Sequence, residues 1–353
     1  MPQETMKAVV FLGDRKAEVI ELPIPSPGPG QVLVKIESAG ICGSDMHVYR
    51  RPAAHFEGRQ PWIPGHEPAG VIAERGEGCH LRQVGDRVSV YHYLACGHCT
   101  SCLEGLWQFC ENRTWANGKG LGNPPAPGPD AEYMVVDEKN CLLLPDELTY
   151  DDGALIACGA GTTFAALRKL RPNGEDTLVV FGQGPVGLVG TAIAQAMGAR
   201  VIAVDVVDER LAIARELGAA ATVNAAGEDL VEVIHDLTGG RGADMALETS
   251  GAVAAHQGVI DVLRRNGSAV FVGLGSREPS VNLTRIIGKQ LTLRGSFVMP
   301  RPYYDDLVSL MLRHDLSAEF AKVCVYHYPI SEGVEAFRVA DRGTEGKVML
   351  VAG

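Results

Sequence analysis

The sequence predicts an α/β protein made of a β-rich domain and a doubly wound parallel sheet. Three observations carry that expectation. The first 150 or so residues hold short alternating runs among frequent Pro and Gly. From about 160 to 295, apolar strands alternate with amphipathic helices. A glycine-rich turn at 182–187 joins one of those strands to a helix. At 353 residues, 46% of them hydrophobic, the chain is long enough for two cores of ordinary size.

In the first domain, "QVLVKIES" (31–38) and "AEYMVVD" (131–137) have the alternation of half-buried strands. Between them lies "NGKGLGNPPAPGP" (117–129), eight of whose thirteen residues are Gly or Pro, so it reads as a loop. The second domain runs in order: "TLVVFG" strand, "PVGLVGTAIAQAMGA" helix, "RVIAVD" strand, "DERLAIARELGA" helix, "DMALETSG" strand, "GSAVFVG" strand. That succession is the signature of a parallel sheet covered by helices on both faces. The tail after about 296, with "KVMLVA" near its end, is again mixed and is expected to return to the first domain.

The stretch "CGHCTSCLEGLWQFC" places Cys96, Cys99, Cys102 and Cys110 within fifteen residues. The N-terminal segment has no basic stretch leading into an apolar run, and no window approaches the roughly 18 apolar residues of a membrane span. A cytoplasmic location is therefore expected, where thiols stay reduced and clustered cysteines point to metal rather than disulfides. Four thiolates close a tetrahedral shell around a structural zinc ion. The iron–sulfur run differs, because seven residues separate Cys102 from Cys110 and Glu111 follows instead of proline. His98 reads as a loop residue beside four better ligands. The net charge of −11 argues against a nucleic-acid partner. Small molecules and further copies of the chain are the expected partners, a homotetramer more than a dimer.

Gly182, Gly184 and Gly187 have G-x-G-x-x-G spacing, with Pro185 and Val186 opening the helix and Asp205 ending the next strand. In that context the glycines admit a pyrophosphate to a helix N-terminus and the acid binds a ribose diol. Asp205 would repel a 2′-phosphate, and Val206 and Val207 offer no compensating cation, so NAD is favoured over NADP.

"GICGSDMH" (40–47), "PGHEPAG" (64–70) and "ACGAGTTFAAL" (157–167) add a plausible zinc ligand each: Cys42, His66 and Cys158. With "GDRV" at 85–88, the four-cysteine stretch and the glycine fingerprint in this order, the chain resembles the zinc-dependent medium-chain alcohol dehydrogenases over nearly all its length. The resemblance implies a GroES-like catalytic domain (1–158) carrying the zinc lobe (96–110), a Rossmann NAD domain (159–295), a C-terminal return (296–353) and a cleft between domains. It also implies two Zn2+ per chain, the catalytic one on Cys42, His66 and Cys158 with an open position that acidifies an alcohol. Ser44 and His47 would relay the proton, Asp45 would orient His66, and Glu67 would approach the metal transiently. Thr162 would flank the nicotinamide, Val272, Gly273 and Leu274 would hold its carboxamide, and Arg210 would stand near the adenosine end.

The expected reaction is hydride transfer between a secondary alcohol, hydroxylated or cyclic, and NAD, giving a ketone or aldehyde. His92, four residues before Cys96, falls where the resemblance places a pocket wall, and it is polar; Tyr91, Tyr93, Trp62 and Trp115 are near it in sequence, either lining that pocket or packing in the core. A polyol, sugar or L-threonine 3-dehydrogenase is the alternative, although those branches generally carry Glu where Cys158 stands. A zinc and nucleotide-binding relative without turnover is the alternative of another class; it would be expected to lose Cys42, His66 or Ser44.

Overall fold

The structure is a computed structural model that describes residues 4–58, 61–115, 128–275 and 281–353. The chain begins with β1 (Thr5–Gly13), β2 (Lys16–Pro23), β3 (Gln31–Gly40), α1 (Gly43–Tyr49), β4 (Pro68–Arg75), β5 (Arg87–Val90) and β6 (Tyr93–Leu94). Then come α2 (Thr100–Leu103), β7 (Thr114–Trp115), β8 (Tyr133–Asp137), β9 (Cys141–Leu143), α3 (Tyr150–Ala157) and α4 (Gly159–Leu170). The alternating region follows as β10 (Thr177–Phe181), α5 (Pro185–Ala196), β11 (Arg200–Asp205), α6 (Asp208–Glu216), β12 (Ala221–Asn224), α7 (Leu230–Leu237) and β13 (Ala243–Glu248). It continues through α8 (Val253–Val262), β14 (Leu263–Phe271), α9 (Leu283–Lys289) and β15 (Thr292–Gly295). Helices α10 (Tyr304–His314) and α11 (Leu316–Val323) lead to β16 (Tyr326–Pro329), α12 (Gly333–Arg342) and β17 (Val348–Val351).

Two compact units result. The first holds 1–158, 300–304 and 324–353; the second holds 159–299 and 305–323. The C-terminal segment expected to return whole from residue 296 is thus divided, with most of α10 and all of α11 in the second unit. Their apolar faces explain the division: Leu307, Met311, Leu316 and Phe320 are buried.

In the first unit the strands run β16-β17-β3-β4-β5-β9, with β8 also paired to β3. Pairing is antiparallel apart from β16 with β17. Val34, Ile36, Ile72, Val88, Val136 and Phe337 fill its core. The second unit has one parallel sheet ordered β12-β11-β10-β13-β14-β15. β10 is buried along its whole length, as a central strand covered on both faces must be. The strand order reverses between β10 and β13, which puts the crevice for a ligand at their carboxyl ends. Among the described residues no helix is long and apolar enough to cross a membrane.

Candidate functional site

In the first unit, Cys42 caps the N-terminus of α1, His66 and Glu67 lead into β4, and Cys158 follows α3. One ligand atom from each of these four residues lies within 4.8 Å of the other three. Two thiols, an imidazole and a carboxylate are a donor set suited to zinc. The three ligands expected from the sequence are brought together, and Glu67 stands with them as a fourth.

The helix start builds part of this arrangement. Asp45 sits in the first turn of α1, where its Oδ2 accepts the Cys42 amide at 2.8 Å. Its Oδ1 lies 3.2 Å from His66 Nδ1, which leaves Nε2 as the nitrogen for a metal. Ser44 and His47 are exposed on the same helix, three residues apart and so on one side of it.

The electrostatics favour a cation. The Cys42 thiol is held well below its ordinary range, first by a hydrogen bond from Cys158, with burial opposing and His66 assisting. Cys158, donor of that bond, is pushed well above the thiol range. A dication taking the place of the shared proton would hold both as thiolates. Burial pulls His66 down, but Asp45 and the Cys42 thiolate reverse this and push it well above its ordinary value.

Two residues here escaped the sequence reading. Lys347 Nζ lies 2.6 Å from Glu67 Oε2, with side chains 3% and 0% exposed. The pair needs glycine at position 40, where a Cβ would fall 2.3 Å from Glu67 Oε2 and 2.7 Å from Lys347 Cε. Burial pushes the Glu67 carboxyl up to about 7 against the pull of Lys347. A lysine opening "KVMLVA" reads as an exposed strand end, so the sequence carried no signal for it. The second residue is Asp130, fully buried, neither of whose carboxyl oxygens has a hydrogen-bond partner among the described residues. Burial, reinforced by Asp45, holds its carboxyl well above the usual carboxylate range.

His92 packs against the His66 ring at 5.4 Å between centroids. Its Nδ1 donates to the Ala157 carbonyl at 3.1 Å, and burial lowers the ring to about 3, so it is neutral. The aromatic wall pictured around it is smaller than expected. Tyr91 is buried, 1% exposed, and stacks on the His92 ring at 5.8 Å, whereas Trp62 packs on Phe56 and His55. Tyr93 meets His92 edge-on at 4.5 Å, while the Trp115 side chain and most of the 117–129 loop lie outside the described residues.

The lobe brings Cys96, Cys99, Cys102 and Cys110 together in the same way. A tetrahedral shell with metal–sulfur bonds of about 2.3 Å spaces its sulfurs about 3.8 Å apart. Cys96 and Cys102 Sγ are 3.8 Å apart, and Cys99 and Cys102 Sγ 3.4 Å. Backbone amides of His98 and Cys99 bring Cys96 down to about 6, whereas burial raises Cys102 to about 12. His98 is exposed, its Nδ1 3.1 Å from the Cys96 carbonyl.

In the second unit the fingerprint has the geometry a dinucleotide needs. Gly184 caps α5, Pro185 opens it, and Val186 is half-buried beside them. Gly187 admits no side chain, because a Cβ would lie 1.8 Å from the Gly182 carbonyl oxygen. Asp205, 7% exposed, accepts amide hydrogen bonds from Gln183 at 2.5 Å, Val206 at 2.7 Å and Val207 at 3.0 Å. A carboxylate has about four acceptor positions, so one remains for a ribose hydroxyl. Arg210 stands 3.8 Å from the same carboxylate. Thr162 is half-buried on α4, and Val272, Gly273 and the exposed Leu274 follow β14.

Family models agree with this layout. That for the alcohol dehydrogenase GroES-like domain matches residues 28–146, and that for zinc-binding dehydrogenases matches 185–313. A sorbitol dehydrogenase of Bacillus subtilis is 36% identical, over 85% of this chain and 84% of that one. An L-threonine 3-dehydrogenase of Deinococcus radiodurans is 33% identical, over 94% and 93%. Among solved structures, an alcohol dehydrogenase of Escherichia coli CFT073 complexed with NADH superposes with a TM-score of 0.86 at 27% identity, covering 98% of this chain and 99% of that one.

Proposed function

The chain belongs to the zinc-dependent medium-chain dehydrogenase family, and from that premise we propose that this NAD-dependent zinc oxidoreductase acts on a secondary alcohol that carries further hydroxyls or a ring. The observation that carries the reading is the convergence of Cys42, His66 and Cys158 ligand atoms within 4.8 Å. When bound there, zinc supplies the Lewis acidity that turns an alcohol hydroxyl into a stronger acid. The chain's own residues do the rest. Asp45 fixes the His66 ring, and Lys347 holds Glu67 by one oxygen. Ser44 receives the proton, and His47, on the same side of α1, passes it to water. His92, neutral and polar against His66, favours a substrate with a second hydrogen-bonding group.

The names of the relatives support a second reading, a polyol or an amino alcohol such as L-threonine. Cys158 in place of the glutamate expected in those branches argues for the first. A four-cysteine lobe arranged for a metal rather than for disulfides supports work in the cytoplasm, where thiols stay reduced, and we assign a homo-oligomer, a tetramer more than a dimer. The test is a zinc-assayed sample offered NAD with alcohols, polyols, sugars and amino alcohols. NADH formation with a secondary or cyclic alcohol is expected; none with any member of the panel would overturn the reading.

A further inference from the structure

The loops that follow β13 and β14 hang on one buried residue. Glu248 closes β13 and is fully buried. Its Oε1 accepts three hydrogen bonds, from the Ser250 amide at 2.8 Å, the Ser250 hydroxyl at 2.5 Å and the Gly251 amide at 2.9 Å. Its backbone carbonyl accepts the amides of Val272 at 2.8 Å and Gly273 at 3.2 Å. Oε2 has no hydrogen-bond partner among the described residues. It faces Gly273, where a Cβ would come within 2.7 Å of it and within 2.1 Å of the Gly251 amide nitrogen. His256 stands behind, its Nε2 3.7 Å from Oε2 and its ring against Phe271.

A buried carboxyl group with one oxygen lacking a hydrogen bond is an expensive way to end a strand, since an apolar side chain of similar volume would fill the space without desolvating polar atoms. The side chain fixes Ser250 and Gly251, while the main-chain carbonyl of the same residue fixes Val272 and Gly273, and the two turns meet at a spacing that excludes even a methyl group. Gly182 of the glycine fingerprint closes on the same place, since a Cβ there would meet Ser250 Cβ at 2.8 Å. We propose that Glu248 is a positioning residue for the dinucleotide: it sets the separation of the two turns that cradle the nicotinamide half. The inference rests on the reading of this unit as the NAD site.

The experiment measures two affinities on the zinc-loaded full chain, NADH by fluorescence titration and 5′-AMP by calorimetry, with melting temperature alongside. AMP engages only the adenosine end at Asp205. Glu248→Leu, which keeps the volume and removes the acceptor of all three bonds, is expected to raise the NADH Kd on the order of tenfold and the AMP Kd by less than about twofold. Ser250→Ala removes one of the three donors and should show the same selectivity at about threefold. If Glu248→Leu does not fold, Ser250→Ala decides on the same ratio. Parallel loss of both ligands would mean that Glu248 merely maintains the fold, and unchanged NADH affinity would mean that it does not position the turns; either overturns the inference. Failure of the wild-type chain to bind NADH would instead overturn the NAD reading itself, and the inference with it.

Discussion

Lys347 Nζ and Glu67 Oε2 meet at 2.6 Å in the interior of the first unit, where neither side chain reaches solvent. Removing one member of such a pair strands a buried charge, which typically costs about 3–5 kcal/mol. Lys347→Met should therefore destabilise by about that much, and adding Glu67→Gln should recover most of it. Urea denaturation of the four proteins of this cycle checks the coupling. Additive losses would show that the two groups do not depend on each other.

Removal of a lobe ligand is expected to act on stability before chemistry. Wild-type chain should assay at two zinc ions, in keeping with the two ligand sets, and Cys99→Ser at one. Its melting temperature should fall, since a closed metal site contributes directly to the folded state. A variant that is inactive yet melts like wild type would remove the structural role.

Asp205→Ala should weaken NAD much more than NADP. The carboxylate holds three backbone amides and keeps one acceptor position open, and a negative charge there would repel a 2′-phosphate. Equal loss with both cofactors, read from KM, would mean that Asp205 acts only on the loop.

The exposed pair on α1 gives a proton-transfer test. Ser44→Ala should cut kcat by roughly 10² or more with little change in NAD affinity, and His47→Gln should do less because buffer can bypass the end of a relay. High imidazole should restore part of the His47→Gln rate and none of the Ser44→Ala rate. Wild-type turnover by Ser44→Ala from pH 6 to 9, with chemistry limiting, would exclude the relay.

Asp130 gives a stability test with a definite sign. Its folded-state pKa is raised well above the unfolded value of about 4, so the unfolded chain gives up this proton more readily. Stability contributed by the protonated form is complete below about pH 4. It declines as pH rises from there to the folded value, by at most about 1.4 kcal/mol per pH unit. Wild type should thus lose stability relative to Asp130→Asn between pH 4 and 7. Parallel denaturation profiles over that range would show that the carboxyl is ionised at no cost.

What could be read from the sequence followed from how local each signal is. The glycine fingerprint, Asp205 and the four lobe cysteines are short-range patterns whose spacing constrains geometry, and the structure brings each set together. Cys42, His66 and Cys158 are far apart in sequence and became legible only through the order of several motifs. Lys347 and Asp130 were illegible, because a charged residue near a strand end normally faces water and only the assembled sheet buries it. The division of the tail followed from α10 and α11, whose apolar faces say that they are buried but not against which unit. His92 was legible as polar, whereas which aromatics would surround it depended on strand register.

The two cysteine sites also differ in when they can form. All four lobe sulfurs lie within fifteen residues, so a metal can close those small loops in a chain that has yet to collapse. Cys42 and Cys158 meet only after β3, β4 and α3 have packed, which demands contacts of long sequence separation. The lobe is thus a local nucleus that a metal can stabilise early in folding, and the mixed Cys and His site is among the last features of its unit to assemble. In a zinc-poor refolding mixture the two should fill in that sequence.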